Sequence, residues 1–214
     1  MRATETQEMM MRVMMLAAAL LMASPVLAQP AGFAIPSGAY EGDPAHTSVT
    51  FKIEHFGLSF YTARFAKVSS KVMLDAARPE ASKLEVSIDA RSVRTDFPFP
   101  EKTDFDKEIG TDPKFLDGNT HPTIGFVSTK VTKTGASTAD ITGNLTLRGV
   151  TKPVVLKAVL NGQVANHPMM KKPVFGISAT TVVRRADFGL TAFEGVLGDN
   201  VTVLIEAEYG KTAG

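Results

Sequence analysis

Hydrophobic and polar residues alternate along most of the chain after Ala39. Between Val49 and His55 the odd positions carry Val, Phe, Ile and His, whereas the even positions carry Thr, Lys and Glu. Alternation with a period of two is typical of a β-strand that has one face in an apolar environment. The same pattern recurs along the chain and predicts seven further strands, at 64–75, 83–93, 123–132, 139–149, 151–162, 174–185 and 200–209.

The segment 101–116 breaks the alternation and carries many charged residues. Phe105 and Ile109 lie four residues apart within it, which suits one or two helical turns. Gly110 and Pro113 are residues that commonly end a helix. The sequence therefore predicts one short helical connection, at about 101–116, in an otherwise continuous antiparallel chain of strands.

Turn residues separate several of the predicted strands. Arg148-Gly149 lies between two alternating segments and indicates a hairpin, and Asn161-Gly162 indicates a further break. Strands with one apolar face must bury that face together, in a sandwich of two sheets or in a closed barrel. A barrel of about eight strands is either filled by its own side chains or holds one small ligand. Periodicity does not separate these outcomes.

The first residues have the pattern of a secretory signal peptide. Arg12 precedes a short apolar run, 13–23, and small residues follow up to Ala28. The run is about half the length of roughly 20 residues that a membrane-spanning helix needs. We therefore expect residues 1–28 to be removed on export, with an N-terminal extension at 29–39, a single domain at 40–210 and a C-terminal tail at 211–214.

Composition excludes several other classes of function. The chain has no cysteine and a formal net charge of +1. Balanced charge gives no electrostatic reason to expect a nucleic-acid partner. The four histidines lack the close spacing of metal-ligand pairs, and the sequence contains neither a Gly-x-Ser-x-Gly motif nor a cysteine nucleophile. We expect no metal, no cofactor and no enzymatic activity.

A series of short motifs runs through the predicted domain. The first spans 43–57 and includes the opening strand, and the others lie at 92–95, 112–117, 121–126, 141–154 and 185–189. In this order they resemble the YceI-like family of bacterial periplasmic proteins. Two positions depart from the family pattern, because Ala63 stands where a glycine is usual and Ala186 where a serine is usual.

This resemblance implies an all-β fold, an eight-stranded antiparallel lipocalin-like barrel with an elongated apolar interior. Family members are associated with polyprenyl phosphates, prenylated quinone precursors and fatty amides, and no catalysis is implied. The resemblance thus implies a periplasmic binding protein for an amphiphilic isoprenoid or related lipid, a carrier or buffer with transient membrane contact, as a monomer or homodimer. The alternative is a stress-related protein-interaction module with a packed barrel and no lipid.

The alternation and the resemblance together predict which side chains contact the ligand. His55 continues the inward face of its strand, as a contact for the ligand head group or as a structural histidine. Arg185 either forms an ion pair with Asp187 or meets an anionic head group. The loop Phe97–Pro100 is either a gate with membrane contact or a plug that caps the barrel. The predicted ligand contacts are Val49, Phe51, Ile53, His55, Phe65, Val86, Ile88, Ile124, Phe126, Ile141, Leu145, Phe175, Ile177, Arg185, Val203 and Ile205.

Overall fold

The computed structural model describes residues 33–213. The predicted signal peptide, residues 29–32 and the last residue lie outside the described residues. The strands are β1 (Gly38–His55), β2 (Ser59–Phe65), β3 (Val68–Leu74), β4 (Lys83–Asp89), β5 (Val93–Arg94), β6 (Thr123–Lys133), β7 (Thr138–Leu147), β8 (Val150–Val164), β9 (Val174–Arg184) and β10 (Leu197–Lys211). The helix is α1 (Phe105–Thr111), and 3-10 turns occupy Pro79–Ala81, Ala90–Ser92 and Arg185–Phe188.

All the described strands belong to one antiparallel sheet that closes on itself. The sheet has the order β10-β9-β8-β7-β6-β4-β3-β1-β2-β5, and pairing between β10 and β1 closes it. On one side of β1, β3 pairs with its first residues and β2 with its last residues. β4 then pairs with β3, and the short β5 pairs with β2. The result is a closed eight-stranded antiparallel barrel with one short helix, which confirms the predicted fold.

A β-bulge in β1 allows this one strand to pair with both β2 and β3. The register of β1 against β10 shifts between Gly42 and Thr47. Within the bulge, the carboxylate of Asp43 accepts hydrogen bonds from the Ala45 N–H and from His46 Nδ1, at 2.9 and 2.8 Å. Because a bulge bends its strand, the two halves of β1 follow different neighbours around the barrel.

The hairpin predicted at Arg148-Gly149 is confirmed. Both residues have positive φ, 52° and 73°, which is the conformation of a type I′ turn between twisted strands. The break predicted at Asn161-Gly162 is wrong, because β8 continues through it to Val164. Pairing with β9 shifts register between Leu160 and Gly162, so that the pair forms a bulge and not a turn.

The helix lies inside the predicted connection and ends between Gly110 and Pro113, the two residues expected to end it. The side chain of Asp104 caps it by accepting the Lys107 N–H at 3.0 Å. Gly110 does not end the helix, which continues to Thr111. A Cβ at Gly110 would lie 3.1 Å from the Cα of Arg91, so that this glycine lets the helix approach the 3-10 turn beneath it.

Aromatic side chains fill one end of the barrel, where β1 begins and β10 ends. The ring of Phe175 lies 5.2 Å from the rings of Phe33 and Tyr40 and 5.1 Å from that of Tyr209. Ile35, only 3% exposed, packs into the same cluster from the segment that precedes β1. Large rings from β1 and the segment before it, from β9 and from β10 therefore close this end, which we call the closed end.

Replacement of Phe175 by alanine tests whether this cluster stabilises the barrel. Phe175 is 2% exposed, so Phe175→Ala is expected to lower the free energy of unfolding by about 3–5 kcal/mol through a cavity in packed surroundings. Phe60→Ala is the matched control, because Phe60 is 56% exposed and its loss should cost about 0.5 kcal/mol or less. Urea denaturation of both variants measures the difference. Equal costs would show that the closed end is not a packed core.

Candidate functional site

The barrel encloses a cavity of about 770 Å³ between the closed end and the opposite end. This volume lies within the range of roughly 300–1,000 Å³ that is typical of small-molecule sites. The inward faces of β1–β4 and of β6–β10 line the cavity, and the lining is almost entirely Val, Ile, Leu, Ala and Phe. Such a wall offers little to a polar molecule and suits a long apolar chain.

The structure places all but one of the predicted ligand contacts on this wall. In the wall, Phe51 of β1 lies opposite Val203 of β10, and Val49 lies opposite Ile205. Inward residues from two segments that are distant in sequence therefore lie side by side on one surface. Ligand contact by these residues stays a prediction. Those on the wall are Val49, Phe51, Ile53, His55, Phe65, Val86, Ile88, Ile124, Phe126, Ile141, Leu145, Ile177, Arg185, Val203 and Ile205.

Phe175 is the exception and corrects the sequence-based expectation. Its side chain has the same strand parity as Ile177, which lines the cavity. Phe175, however, lies at the start of β9, where its ring is packed among the aromatic residues of the closed end. Alternation predicts the face on which a side chain lies but not its depth along the barrel.

A lid covers part of the other end of the cavity, the mouth. The ring of Phe105 in α1 lies 5.3 Å from Phe97 and 5.9 Å from Tyr61 of β2, edge-on to the tyrosine. Phe97 in turn contacts Phe99, which is 47% exposed. The loop that was predicted as a gate or a plug therefore packs one ring over the cavity and presents the other to solvent.

The remaining rim of the mouth consists of the β1–β2 turn and the loop before β10. The Phe56 N–H donates to the Val196 carbonyl at 2.7 Å, which joins the two segments. Phe193 stacks on Phe115, with 5.8 Å between ring centroids. Phe56 and Phe193 have φ of 55° and 59°, a conformation that is strained for bulky residues. Both are at least half exposed, at 58% and 50%, and Leu58 beside them is 87% exposed.

His55 lies where the wall reaches this rim. It pairs with Leu197 and Ser59 at the last register positions of β1. Its ring packs edge-on against Phe56, with 4.7 Å between centroids, and the residue is exposed. The apolar face of β1 thus ends in a histidine because the strand reaches the mouth there. Its role as a head-group contact stays a prediction.

Arg185 fixes the loop that forms one side of the mouth. The residue is 7% exposed, and its guanidinium donates to backbone carbonyls at distances between 2.5 and 3.2 Å. Four of the five N–H groups of the guanidinium are thereby engaged. The carbonyls belong to Leu190, Ala192, Leu197 and Gly198.

The structure pairs Arg185 with backbone carbonyls and not with Asp187. Asp187 forms its ion pair with Arg184, at 3.6 Å, so the predicted pair with Arg185 is wrong. The alternative, a contact between Arg185 and an anionic ligand head group, stays a prediction. The guanidinium already donates hydrogen bonds to backbone carbonyls. Sequence spacing did not indicate this role, because backbone acceptors have no sequence signature.

Two side-chain oxygens within residues 33–213 are buried without a well-formed hydrogen bond, the hydroxyls of Tyr61 and Ser70. Both residues line the cavity. Ser70 faces the hydroxyl of Tyr209, whose pKa is raised by burial and lowered in part by this neighbour. Tyr61 lies near the mouth, opposite Ile53. Buried polar groups are normally paired, so that both hydroxyls are candidates for contact with a ligand.

Sequence reasoning missed Tyr61 because it began the second strand at Arg64. β2 in fact begins at Ser59 and is nearly continuous with β3. Tyr61, Ala63 and Phe65 share one face, opposite the inward residues of β1. The alternation of these three residues was the signal that would have found the tyrosine.

Charged groups at the mouth are paired with each other. Lys114 and Glu108 both line the cavity, and Lys114 Nζ lies 3.8 Å from Glu108 Oε1 and 3.3 Å from Asp112 Oδ2.

In the described part of the chain, histidine and acidic side chains do not gather into a group of three or more that could hold a metal ion.

Comparison with known proteins identifies the family. The family model for the YceI-like domain matches residues 40–209. The chain belongs to the YceI-like family. A UPF0312 protein from Pseudomonas fluorescens is 40% identical to it over 171 residues, which cover 78% of this chain and 82% of the relative. A UPF0312 protein from Ectopseudomonas mendocina is 39% identical over 163 residues, with coverage of 76% and 81%.

Solved structures share the barrel of this YceI-like chain. The YceI protein of Campylobacter jejuni has a TM-score of 0.61 and 27% identity, and the match covers 76% of this chain and 91% of that one. BcnA from Burkholderia cenocepacia has a TM-score of 0.67 at 18% identity, with coverage of 78% and 98%. A polyisoprenoid-binding domain from Saccharophagus degradans has a TM-score of 0.58 at 16% identity, with coverage of 83% and 100%.

Two neighbouring arginines provide a test of how the mouth is held. Arg185→Gln is expected to lower the free energy of unfolding by at least about 3 kcal/mol, since several charge-assisted hydrogen bonds are lost and buried carbonyls stay unpaired. Arg184→Gln removes only ion pairs, to Asp187 and Asp199, on a side chain that is 62% exposed, and should cost much less because solvent screens exposed ion pairs. Chemical denaturation distinguishes the two. A larger cost for Arg184→Gln would contradict this assignment.

Proposed function

We propose that this protein is exported to the periplasm and binds one amphiphilic isoprenoid or related long-chain lipid inside its barrel. The observation that carries the proposal is the apolar cavity of about 770 Å³, which is packed shut at one end and bordered by exposed residues at the other. A packed barrel that acts only through protein partners would not need this cavity. The proposed activity is binding and not catalysis.

The energetics of an apolar tail suit a reversible carrier or buffer. Burial of each methylene-sized group contributes roughly 0.8 kcal/mol relative to water. A bilayer gives a similar gain, so a cavity that matches the membrane exchanges its ligand without a large net free-energy change. Transfer between a membrane and a partner then needs contact with the membrane but no coupled chemical step.

The two ends of the cavity favour one orientation of the ligand. At the closed end the cluster around Phe175 and Tyr209 leaves little room for a hydrated head group. At the mouth, the lining includes polar side chains, among them His55, Tyr61 and Glu108. An amphiphile therefore enters tail first and keeps its head at the mouth.

Similarity to a known binding domain supports the class of ligand. The Saccharophagus degradans domain, which shares the barrel, is described as a polyisoprenoid-binding domain. Its low identity supports the fold alone, and the apolar wall of this chain supplies the chemical argument. The wall favours a long apolar tail, and the shared barrel agrees with a site of this kind.

Transient contact of the mouth with a membrane follows from its exposed apolar residues. Phe56, Leu58 and Phe193 project around the entrance, and exposed apolar patches of this kind commonly mark interaction sites. Across residues 33–213 no helix has the length and apolar character to span a membrane. We therefore propose contact of the rim with a lipid surface during loading, in a protein delivered by the signal peptide predicted at 1–28.

Substitutions on the two faces of β10 test the proposal. Val203 lines the cavity, whereas its neighbour Leu204 points outward and is 41% exposed. Val203→Phe should occupy cavity volume and reduce the lipid that co-purifies, while Leu204→Phe should leave it unchanged. The measurement is mass spectrometry of an organic extract from protein purified from the periplasm without detergent.

A stoichiometric prenyl or fatty species in the wild type and in Leu204→Phe, depleted or shortened in Val203→Phe, is the expected result. A folded wild-type protein that is empty and takes up no added prenyl lipid would refute lipid binding. The same experiment localises the protein, because a chain that is absent from the periplasmic fraction contradicts the export proposal.

A further inference from the structure

We propose that the cavity selects isoprenoids with an uncharged, hydrogen-bonding head over prenyl phosphates, and that the hydroxyl of Tyr61 recognises this head. This inference rests on the proposed function and adds the chemical class of the head group. Suitable heads are alcohols, phenols, quinone carbonyls and amides, each of which presents an oxygen without a formal charge.

The cavity provides no free buried cation for a phosphate. Among the described residues of its lining, Arg185 and Lys114 are the fixed cations. Arg185 already donates to loop carbonyls, and a guanidinium has only one N–H left after those four bonds. Lys114 is held between the carboxylates of Glu108 and Asp112. A phosphate would therefore have to displace existing partners to be neutralised.

An acidic side chain at the mouth adds to this selection. Glu108 of α1 lines the cavity and brings a carboxylate to the place where a tail-first ligand holds its head. A phosphate monoester carries a charge of about −1.5 to −2 at neutral pH. Burial of such a charge is costly unless it is paired, and repulsion from a carboxylate increases that cost. An uncharged head avoids both penalties.

Tyr61 offers what an uncharged head needs. Its hydroxyl is buried and lacks a hydrogen-bond partner, and the residue lines the cavity. The ring is held between Ile53, its partner across β1 and β2, and the lid residue Phe105, 5.9 Å away. A phenolic hydroxyl both donates and accepts, so it matches an alcohol, a carbonyl or an amide. A ligand oxygen at this position would satisfy a group that is otherwise unpaired.

The position of Tyr61 along the barrel agrees with a head-group contact. Ser70, the other unsatisfied hydroxyl, lies farther along the same stretch of chain and beside Tyr209 of the closed end. At about 3.3 Å per residue the two are separated by at most roughly 30 Å of strand. A tail that starts at Tyr61 therefore runs along the apolar wall towards Ser70.

Competition binding on the delipidated protein tests the inference with three probes that share one tail. The probes are geranylgeraniol, its phosphate monoester and the corresponding hydrocarbon without the hydroxyl. The wild type should bind the alcohol at least about 10-fold more tightly than the phosphate. Tyr61→Phe should weaken binding of the alcohol by roughly 3- to 10-fold, the loss expected for one hydrogen bond, and leave that of the hydrocarbon unchanged. Tyr40→Phe removes a hydroxyl that does not line the cavity and that donates to the Pro36 carbonyl at 2.7 Å, so it should change neither ratio.

Contrary results identify which conclusion fails. Equal or tighter binding of the phosphate overturns the selectivity. If the wild type prefers the phosphate and His55→Gln abolishes that preference, the exposed histidine binds the head group instead. Equal losses for alcohol and hydrocarbon in Tyr61→Phe would make Tyr61 a wall residue only. Failure of the wild type to bind all three probes overturns the proposed function itself, whereas tight but unselective binding overturns only this inference.

Discussion

The pairing of β1 with β10 is the constraint on which the rest of the structure depends. The first and last strands run antiparallel along almost their full lengths, from Tyr40 opposite Lys211 to His55 opposite Leu197. This pairing joins the last strand to the first and turns the inward faces of the strands towards one enclosed space. It also brings the start of β1 and the end of β10 to one end of the barrel, where residues from both strands pack together and close it.

The cavity exists because the two ends of that enclosed space are built differently. Aromatic rings from β1, β9 and β10 meet at the closed end. Farther along, many inward residues are Val, Ile and Ala, including Ile177 and Ala179 of β9, which leave space between opposite walls. An eight-stranded barrel can be filled or hollow, and side-chain size along its axis decides between the two.

The mouth combines rigid backbone with exposed apolar side chains. Arg185 ties the loop before β10 to the barrel through carbonyl bonds, so the loop does not depend on exposed ion pairs for its shape. The strained backbone of Phe56 and Phe193 persists in this fixed setting. The apolar side chains of the rim therefore stay exposed at the entrance, as the proposed membrane contact requires.

The sequence by itself determined most of the strands, the inward face of most of them and the short helix, because side chains alternate along any strand and local patterns report them. Only the tertiary structure decided the depth of Phe175, the carbonyl partners of Arg185 and the exposure of His55. It also decided that the interior is hollow and that Tyr61 lacks a partner inside it. These features depend on groups from strands that are distant in sequence and adjacent only after the barrel closes.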